Sequence, residues 1–206
     1  MAELAPGLAF HPGYLDRAAQ ESLLAELRAV LAEAPAFVPR MPRTGKAFSV
    51  RMTNCGGLGW VSDVSGYRYQ PTHPGTGLPW PPIPAVALRA WRDLAAYEHA
   101  PEACLVNLYD RGARMGLHQD RDEEAVEAPV VSLSLGDTAL FRWGGTDRRA
   151  PTCAIRLASG DALVLGGASR LAFHGVDRVV GGSSTLLGEG GRINLTLRRV
   201  TRPRTI

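Results

Sequence analysis

The stretch RINLTLR, residues 192–198, alternates apolar and polar side chains along its whole length. Ile193, Leu195 and Leu197 take one set of positions, and two arginines, an asparagine and a threonine take the other. Successive side chains of a strand point to opposite faces, so the pattern predicts a β-strand with one apolar and one polar face. Inward-facing guanidinium groups are costly unless anions pair with them. Because guanidinium binds carboxylate through paired hydrogen bonds, the polar face predicts a carboxylate-binding wall.

A second polar strand face precedes this one in the chain. In the stretch LVNLY, residues 105–109, the period of two puts Leu105, Asn107 and Tyr109 on one face. An amide and a phenol would therefore join the arginines if the two strands share a pocket.

The rest of the second half also has the character of short strands separated by glycine-rich turns, which favours a β-sandwich or jelly roll. The predicted strands are Cys104–Tyr109, Pro129–Leu135, Ala139–Trp143, Cys153–Leu157, Ala162–Leu165, Arg170–Phe173 and Arg192–Val200. In the first half, apolar spacing after an Asp16 N-cap predicts a helix to about Glu33, and a second helix runs from Pro84 to about Glu98.

We therefore predict a mostly β (α+β) fold in one domain, 1–206. Residues 1–45 form an N-terminal helical region, and residues 83–206 a helix followed by the β core. Between them, residues 46–82 are rich in Gly, Pro, Tyr and Trp, with strand-like pieces at Phe48–Thr53 and Gly66–Tyr69. Such a composition is typical of hairpins and loops that carry binding residues.

The motif His118-Gln-Asp120 provides a candidate metal site. On a strand, side chains two residues apart point the same way, so the imidazole and carboxylate can reach one ion. With His174 they complete a two-histidine, one-carboxylate set, which leaves open positions on non-haem Fe(II) for oxygen chemistry. The spacing alone is weak, and a structural histidine beside a surface aspartate is its more common explanation. Next to a wall of arginines, however, the set suits a dicarboxylate that chelates the metal at one end.

The composition limits the cellular compartment and the classes of partner that we expect for this protein. No run of eighteen apolar residues is present, and the N-terminus lacks the features of a signal peptide. Cys55, Cys104 and Cys153 form no CxxC pair, which predicts a reducing cytoplasm rather than a disulfide framework. The net charge is +3, and Lys46 is the only lysine among 23 basic residues. This charge permits a nucleic-acid partner, although an arginine-rich genome explains it as well.

Several segments carry a close and nearly full-length resemblance to one family. They are FSVRMTNCGGLGW (48–60), GYRYQP (66–71), ACLVNLY (103–109), LHQDRDE (117–123), PVVSLSLG (129–136), GGASRLAFHG (166–175) and RINLTLR (192–198). The chain resembles the bacterial AlkB-type Fe(II)/2-oxoglutarate-dependent dioxygenases that repair alkylated nucleic acids. The resemblance implies a double-stranded β-helix (jelly roll) core under a nucleotide-recognition lid.

The resemblance also implies the cofactors, Fe(II), 2-oxoglutarate and O2, and the residues that hold them. The implied iron ligands are His118, Asp120 and His174. The residues implied around 2-oxoglutarate are Arg192 at the far carboxylate, Arg198 at the carboxylate near the metal, and Asn107, Tyr109 and Asn194. The implied reaction removes the methyl group of bases such as 1-methyladenine and 3-methylcytosine, with release of succinate, CO2 and formaldehyde.

For the substrate, the resemblance implies a flipped base stacked on Trp60, with His118 on its other side. Asp122 would lie near the edge of the base, where it favours a cationic lesion, Tyr67 would contact a phosphate, and Arg148 would add a further substrate contact. We expect a monomer that acts on alkylated DNA, single- or double-stranded, with RNA as the alternative, and no membrane partner.

Two positions depart from the family pattern. Leu165 stands where the family has a tryptophan beside the substrate pocket, and Arg142 stands where it has a glutamine near the base. We expect Leu165 to widen the pocket wall and Arg142 to put a cation near the lesion, facing phosphate or paired with Asp122 or Glu123. Two other classes stay open, namely an oxygenase of proteins or small molecules and a nucleic-acid binder with an inactive site.

Overall fold

The computed structural model describes residues 1–203. Within this range the chain forms two helices, α1 (Arg17–Glu33) and α2 (Ala85–Leu94), and thirteen strands. The strands are β1 (Ala2–Ala5), β2 (Leu8–His11), β3 (Arg51–Gly56), β4 (Gly59–Asp63), β5 (Gly66–Gln70), β6 (Ala103–Tyr109), β7 (Met115–His118), β8 (Val130–Gly136), β9 (Thr138–Trp143), β10 (Cys153–Leu157), β11 (Ala162–Leu165), β12 (His174–Val180) and β13 (Arg192–Arg198).

Two antiparallel sheets form the core. The larger has seven strands in the order β1-β2-β11-β8-β13-β6-β3, and the smaller has four in the order β10-β9-β12-β7. Leu105 and Tyr109 of the large sheet pack in one apolar cluster with Phe141 and Trp143 of the small sheet, so the sheets face each other. This arrangement confirms the predicted mostly β, jelly-roll fold.

Strand β13 lies in the middle of the large sheet and divides the molecule into a packing side and a cavity side. Ile193, Leu195 and Leu197 are buried in a cluster with residues of α1 and α2, so the helices cover that face. Burying each such side chain stabilises the fold by about 1.5–3 kcal/mol. The polar residues of β13 point the other way, toward the small sheet. The alternation predicted from the sequence is therefore confirmed.

Strands β4 and β5 form a separate two-stranded hairpin, which we call the lid hairpin. Trp60 and Tyr69 are direct cross-strand partners in it. The first residue of this hairpin packs closely against the segment that follows it, because a Cβ at Gly59 would lie 2.4 Å from the ring of Trp80. Only glycine permits this approach, which fixes the start of β4 next to the Trp80 ring.

Helix α1 begins at the predicted N-cap, where Asp16 Oδ1 accepts a hydrogen bond from the Ala19 amide at 2.8 Å. Helix α2, however, ends at Leu94 rather than at Glu98, because Ala96 adopts a positive φ of 46° that a helix cannot contain. Among residues 1–203, no helix is both long and apolar enough to cross a membrane.

Two further expectations from the sequence were wrong. The region before residue 45 is not only helical, because β1 and β2 form a hairpin that extends the large sheet. Residues 170–173 form no strand; a 3-10 turn at Gly167–Ser169 precedes them, and the strand begins at His174. Strand β12 escaped detection because Gly175, Asp177 and Arg178 interrupt its apolar pattern.

Candidate metal and cosubstrate site

A cavity of about 780 Å³ opens between the two sheets and the lid hairpin. Its volume is in the range of small-molecule binding sites. The polar faces predicted for the two strands both line it, through Arg192, Asn194, Thr196 and Arg198 of β13 and Leu105, Asn107 and Tyr109 of β6. Pairing of β13 with β6, with Asn194 opposite Asn107, brings the two faces together.

His118, Asp120 and His174 meet at this cavity. His118 ends β7 and pairs in register with His174, the first residue of β12, while Asp120 follows two residues after β7. The three donor atoms lie within 4.8 Å of one another. Asp120 Oδ1 is 3.8 Å from His118 Nε2, and Asp120 Oδ2 is 3.9 Å from His174 Nε2. The sequence-predicted ligands therefore converge on one point.

Both imidazoles are oriented for metal binding by backbone carbonyls. His118 Nδ1 donates to Gly116 O and His174 Nδ1 donates to Ala172 O, each at 2.9 Å. Because a carbonyl can only accept, Nδ1 carries a proton in each ring, and Nε2 is the nitrogen that faces Asp120. Burial, followed by the neighbouring His118, lowers the pKa of His174 to about 4. His174 is therefore neutral near pH 7, as a metal ligand must be.

Asp120 is held ionised by a buried arginine. Arg198 Nη2 donates to Asp120 Oδ2 at 2.9 Å, and both side chains are more than nine-tenths buried. Burial alone would raise the pKa of Asp120, but Arg198, followed by His174 and His118, outweighs it and holds the pKa well below its usual range. The carboxylate is thus available to a cation throughout the neutral range.

Within residues 1–203, Arg192 is a buried cation without a carboxylate partner. Its side-chain hydrogen bonds go to the Ser134 hydroxyl at 2.8 Å and to backbone carbonyls, while burial lowers its pKa to about 10. Among residues 1–203, three buried side-chain polar atoms lack a hydrogen-bond partner, and all belong to residues that line this cavity. They are Asn107 Oδ1, Arg192 Nε and Arg198 Nη1. Unsatisfied buried polar atoms are costly, so these three indicate a polar ligand.

Comparisons with known proteins agree with this chemistry. The sequence profile of the 2OG-Fe(II) oxygenase superfamily matches residues 7–198. The chain is 55% identical to an alpha-ketoglutarate-dependent dioxygenase AlkB homolog of Caulobacter vibrioides over 94% of this chain and 88% of that protein. It belongs to the AlkB-type 2OG-Fe(II) oxygenase family. It is also 43% identical to the alpha-ketoglutarate-dependent dioxygenase AlkB of Salmonella typhimurium, over 95% of this chain and 91% of that protein.

A solved structure extends the agreement to the fold. The structure of OsALKBH1 superimposes with a TM-score of 0.81 at 31% identity, over 96% of this chain and 99% of that one. The protein is therefore an AlkB-type dioxygenase whose reaction uses Fe(II), 2-oxoglutarate and O2. The residues present fit these groups: two imidazoles and a carboxylate suit Fe(II), and two guanidinium groups suit a dicarboxylate.

The residues predicted to contact substrate lie around the cavity mouth of this AlkB-type enzyme. Trp60 Nε1 donates to Asp122 Oδ2 at 2.8 Å, and the Tyr67 ring stacks on the indole with centroids 5.5 Å apart. Arg148 is exposed, donates to the Leu117 carbonyl at 2.8 Å and lies 5.5 Å from the ring centroid of Phe173. All four predicted substrate residues line the cavity.

The two departures from the AlkB-type pattern have different outcomes. Leu165 is buried in the cavity wall, as expected. The expectation for Arg142 was wrong, because Phe141 and Trp143 turn inward and the alternation of β9 directs Arg142 away from the cavity. There its guanidinium pairs with Asp177 on the neighbouring strand β12. Arg142 therefore does not line the cavity.

Sequence reasoning missed a buried charge network behind Asp120. Glu123 accepts hydrogen bonds from Arg170 Nη2 at 3.0 Å and from the Tyr69 hydroxyl, and Arg170 also donates to the Asp120 carbonyl. Glu123 and Arg170 both stand in the family-like segments, but nothing in their local pattern marks a charge as buried. The contacts join residues 47 and 54 positions apart, which no short window of sequence reveals.

Proposed function

We propose that the enzyme removes methyl groups oxidatively from N-alkylated bases, such as 1-methyladenine and 3-methylcytosine, in single-stranded DNA. The observation that carries the proposal is the aromatic face of Trp60 beside the metal site, with the Asp122 carboxylate bound to its indole. Bases stack on aromatic side chains whatever their sequence. These lesions carry a positive ring charge at neutral pH, which an aromatic face and a carboxylate both stabilise.

In this proposal His118, Asp120 and His174 hold Fe(II). Arg192 binds the far carboxylate of 2-oxoglutarate, because its buried guanidinium has no anionic partner among the described residues. Arg198 lies near the carboxylate that is closest to the metal, with its Nη1 free to donate. Asn107, Tyr109 and Asn194 complete the 2-oxoglutarate pocket.

The lid residues would position the damaged base. We assign residues 46–82 to a nucleotide-recognition lid, in which Trp60 stacks on the base opposite His118. Asp122 accepts from the edge of the base, and Tyr67 and Arg148 contact phosphate at the cavity mouth. A base must leave the duplex to reach a recessed metal, and a damaged or single-stranded base does so at least cost. This favours single-stranded DNA as the substrate.

When bound, Fe(II) supplies the oxidising chemistry that couples conversion of 2-oxoglutarate and O2 into succinate and CO2 to hydroxylation of the N-methyl group. The hydroxymethyl product loses formaldehyde and leaves the restored base. The protein's own part is to orient the base, to bind both carboxylates of the cosubstrate and to keep the His174 ring neutral. We also propose that it works as a monomer in the cytoplasm, a reducing setting that suits its free cysteines, Cys55, Cys104 and Cys153.

The substrate class is tested by succinate formation in the presence of matched oligonucleotides with and without one 1-methyladenine. We expect turnover to rise with the methylated DNA and not with its unmethylated copy, a methylated peptide or free 1-methyladenosine. Equal stimulation by methylated RNA would widen the substrate to both nucleic acids. Stimulation by the peptide alone would contradict the proposal.

Replacing Trp60 with alanine is expected to raise the KM for methylated oligonucleotide by about 5- to 150-fold, because stacking on an aromatic side chain contributes about 1–3 kcal/mol per base. Trp60→Phe keeps a ring and should recover part of the loss. At saturating oligonucleotide, the KM for 2-oxoglutarate should change far less in either variant, since Trp60 does not contact that part of the cavity in our assignment. Steady-state kinetics with each substrate varied in turn measures both constants. An oligonucleotide KM unaffected by Trp60→Ala would rule out stacking on this residue.

A further inference from the structure

The lid hairpin is attached by two adjacent hydrogen bonds to the segment 119–124, which follows β7 and carries Asp120. Trp60 and Tyr69 are cross-strand partners on β4 and β5, and they donate to two consecutive carboxylates, Asp122 and Glu123. Both carboxylates follow the metal ligand Asp120 within three residues. The outer contact involves an exposed aspartate, whereas Glu123 is 5% exposed. The inner contact is therefore shielded from water, where a hydrogen bond to a charged group is stronger.

Glu123 lies at the centre of a charge-balanced cluster. Its carboxylate pairs with Arg170 at 3.0 Å and lies 3.4 Å from Arg198, which in turn binds Asp120. Within the cluster, the two positive charges of the arginines balance the two negative charges of Asp120 and Glu123. Removing a partner from a buried ion pair is strongly destabilising, so each of these groups constrains the others.

One oxygen atom connects the lid to the metal ligand. The Tyr69 hydroxyl donates to Glu123 Oε1, and Arg198 Nε lies 3.4 Å from the same atom. The same Arg198 Nε is also 3.3 Å from Asp120 Oδ2. Arg198 is thus shared between Asp120 and Glu123, and Glu123 is shared between Arg198 and Tyr69. A cation bound to Asp120 weakens the attraction of Asp120 for Arg198, and an anion bound to Arg198 competes with Glu123 for that guanidinium. Both change the interaction between Arg198 and Glu123, and therefore the hydrogen bond that Glu123 accepts from Tyr69 of the lid hairpin.

We propose that Tyr69 and Glu123 are positioning residues that couple nucleic-acid binding at the lid to occupancy of the metal and 2-oxoglutarate site. The inference rests on the proposed function, because it takes the lid to be the surface that binds the damaged strand. Coupling of this kind is reciprocal: whatever strengthens DNA binding when cosubstrate is present equally strengthens cosubstrate binding when DNA is present. The enzyme would thereby bind the metal and 2-oxoglutarate most tightly when a damaged base occupies the lid.

The test is the ratio of two dissociation constants for a fluorescent methylated oligonucleotide. One is measured on metal-free protein, and the other with Mn(II) and 2-oxoglutarate, which fill the site without turnover. We expect wild-type protein to bind at least about 5-fold more tightly in the second state, the lower end of common coupling factors. In Tyr69→Phe, which keeps the ring but lacks the hydroxyl, the ratio should fall to about 1. The matched control is Tyr97→Phe, which removes a hydroxyl bonded to Glu127 outside the cavity and should keep the wild-type ratio.

The outcomes separate this inference from the proposed function. If Tyr69 were merely structural, Tyr69→Phe would weaken binding equally in both states and keep the wild-type ratio, which would overturn the inference. A wild-type ratio near 1 would overturn it as well. Failure of wild-type protein to bind methylated oligonucleotide in either state would instead refute the proposed function. Amide hydrogen exchange provides a second readout: faster exchange in both 59–70 and 118–124 in Tyr69→Phe supports coupling, and a change in 59–70 alone contradicts it.

Discussion

Replacing Asp120 with alanine is expected to abolish turnover and to lower metal affinity by well over 100-fold. The carboxylate would be a direct ligand, and loss of even an outer partner of a ligand costs about 10- to 100-fold. The change also leaves Arg198 without its nearest anion in a buried site. Asp120→Asn, which keeps the size and one oxygen, should lose metal affinity too while disturbing the fold less.

Mn(II) affinity, thermal unfolding and turnover of each variant separate the metal effect from misfolding. Asp110→Ala is the control, because Asp110 is an exposed aspartate paired with Arg51 at the end of β6. It should keep wild-type metal affinity. A folded Asp120→Asn protein that binds Mn(II) as tightly as wild type would contradict the ligand assignment.

Replacing Arg192 with methionine is expected to raise the KM for 2-oxoglutarate by about 30-fold or more, since losing one partner of a buried charge pair costs about 2–5 kcal/mol. In the absence of 2-oxoglutarate, by contrast, the free energy of unfolding of Arg192→Met should be equal to or higher than that of wild type. A base whose pKa is lowered on folding opposes folding wherever it is charged, here below about pH 10. Removing the Arg192 charge therefore removes an unfavourable contribution to the free energy of folding throughout the neutral pH range.

We accordingly predict that Arg192→Met unfolds at the same or a higher temperature than wild type when 2-oxoglutarate is absent. Added 2-oxoglutarate with Mn(II) should stabilise wild type clearly and the variant hardly at all. Arg156→Met, which removes an exposed arginine of β10, should respond like wild type. An unchanged KM in Arg192→Met would mean that the far carboxylate is bound elsewhere.

The site was predictable where local pattern and geometry coincide. The alternation in residues 192–198 forces one face against the helices and leaves the other for the cavity, so Arg192 and Arg198 could be assigned to a pocket before the fold was known. His118 and Asp120 could be paired from their spacing of two once the neighbouring arginine-bearing strand gave that spacing a context. His174 could be proposed as the third ligand from the residue types, but its pairing in register with His118 joins distant segments and had to come from the structure.

The remaining features depend on contacts that the sequence does not encode locally. Arg142 pairs with Asp177, a residue 35 positions away, and its direction follows from the alternation of β9. Arg170 looked like the start of a strand, but it is a buried cation whose partners, Glu123 and the Asp120 carbonyl, lie in another loop. A charged residue has the same one-letter code whether it is buried or exposed, so its burial can be recognised only once its partners are known.

The most direct test of the proposed repair activity measures the mass of a methylated oligonucleotide before and after reaction. Anaerobically loaded Fe(II) enzyme would be given 2-oxoglutarate, O2 and a single-stranded oligonucleotide that carries one 1-methyladenine or 3-methylcytosine. We expect the oligonucleotide to lose the mass of one methylene group only when both Fe(II) and 2-oxoglutarate are present. Succinate formation with no change in the mass of either oligonucleotide would contradict the claim that this site repairs alkylated bases.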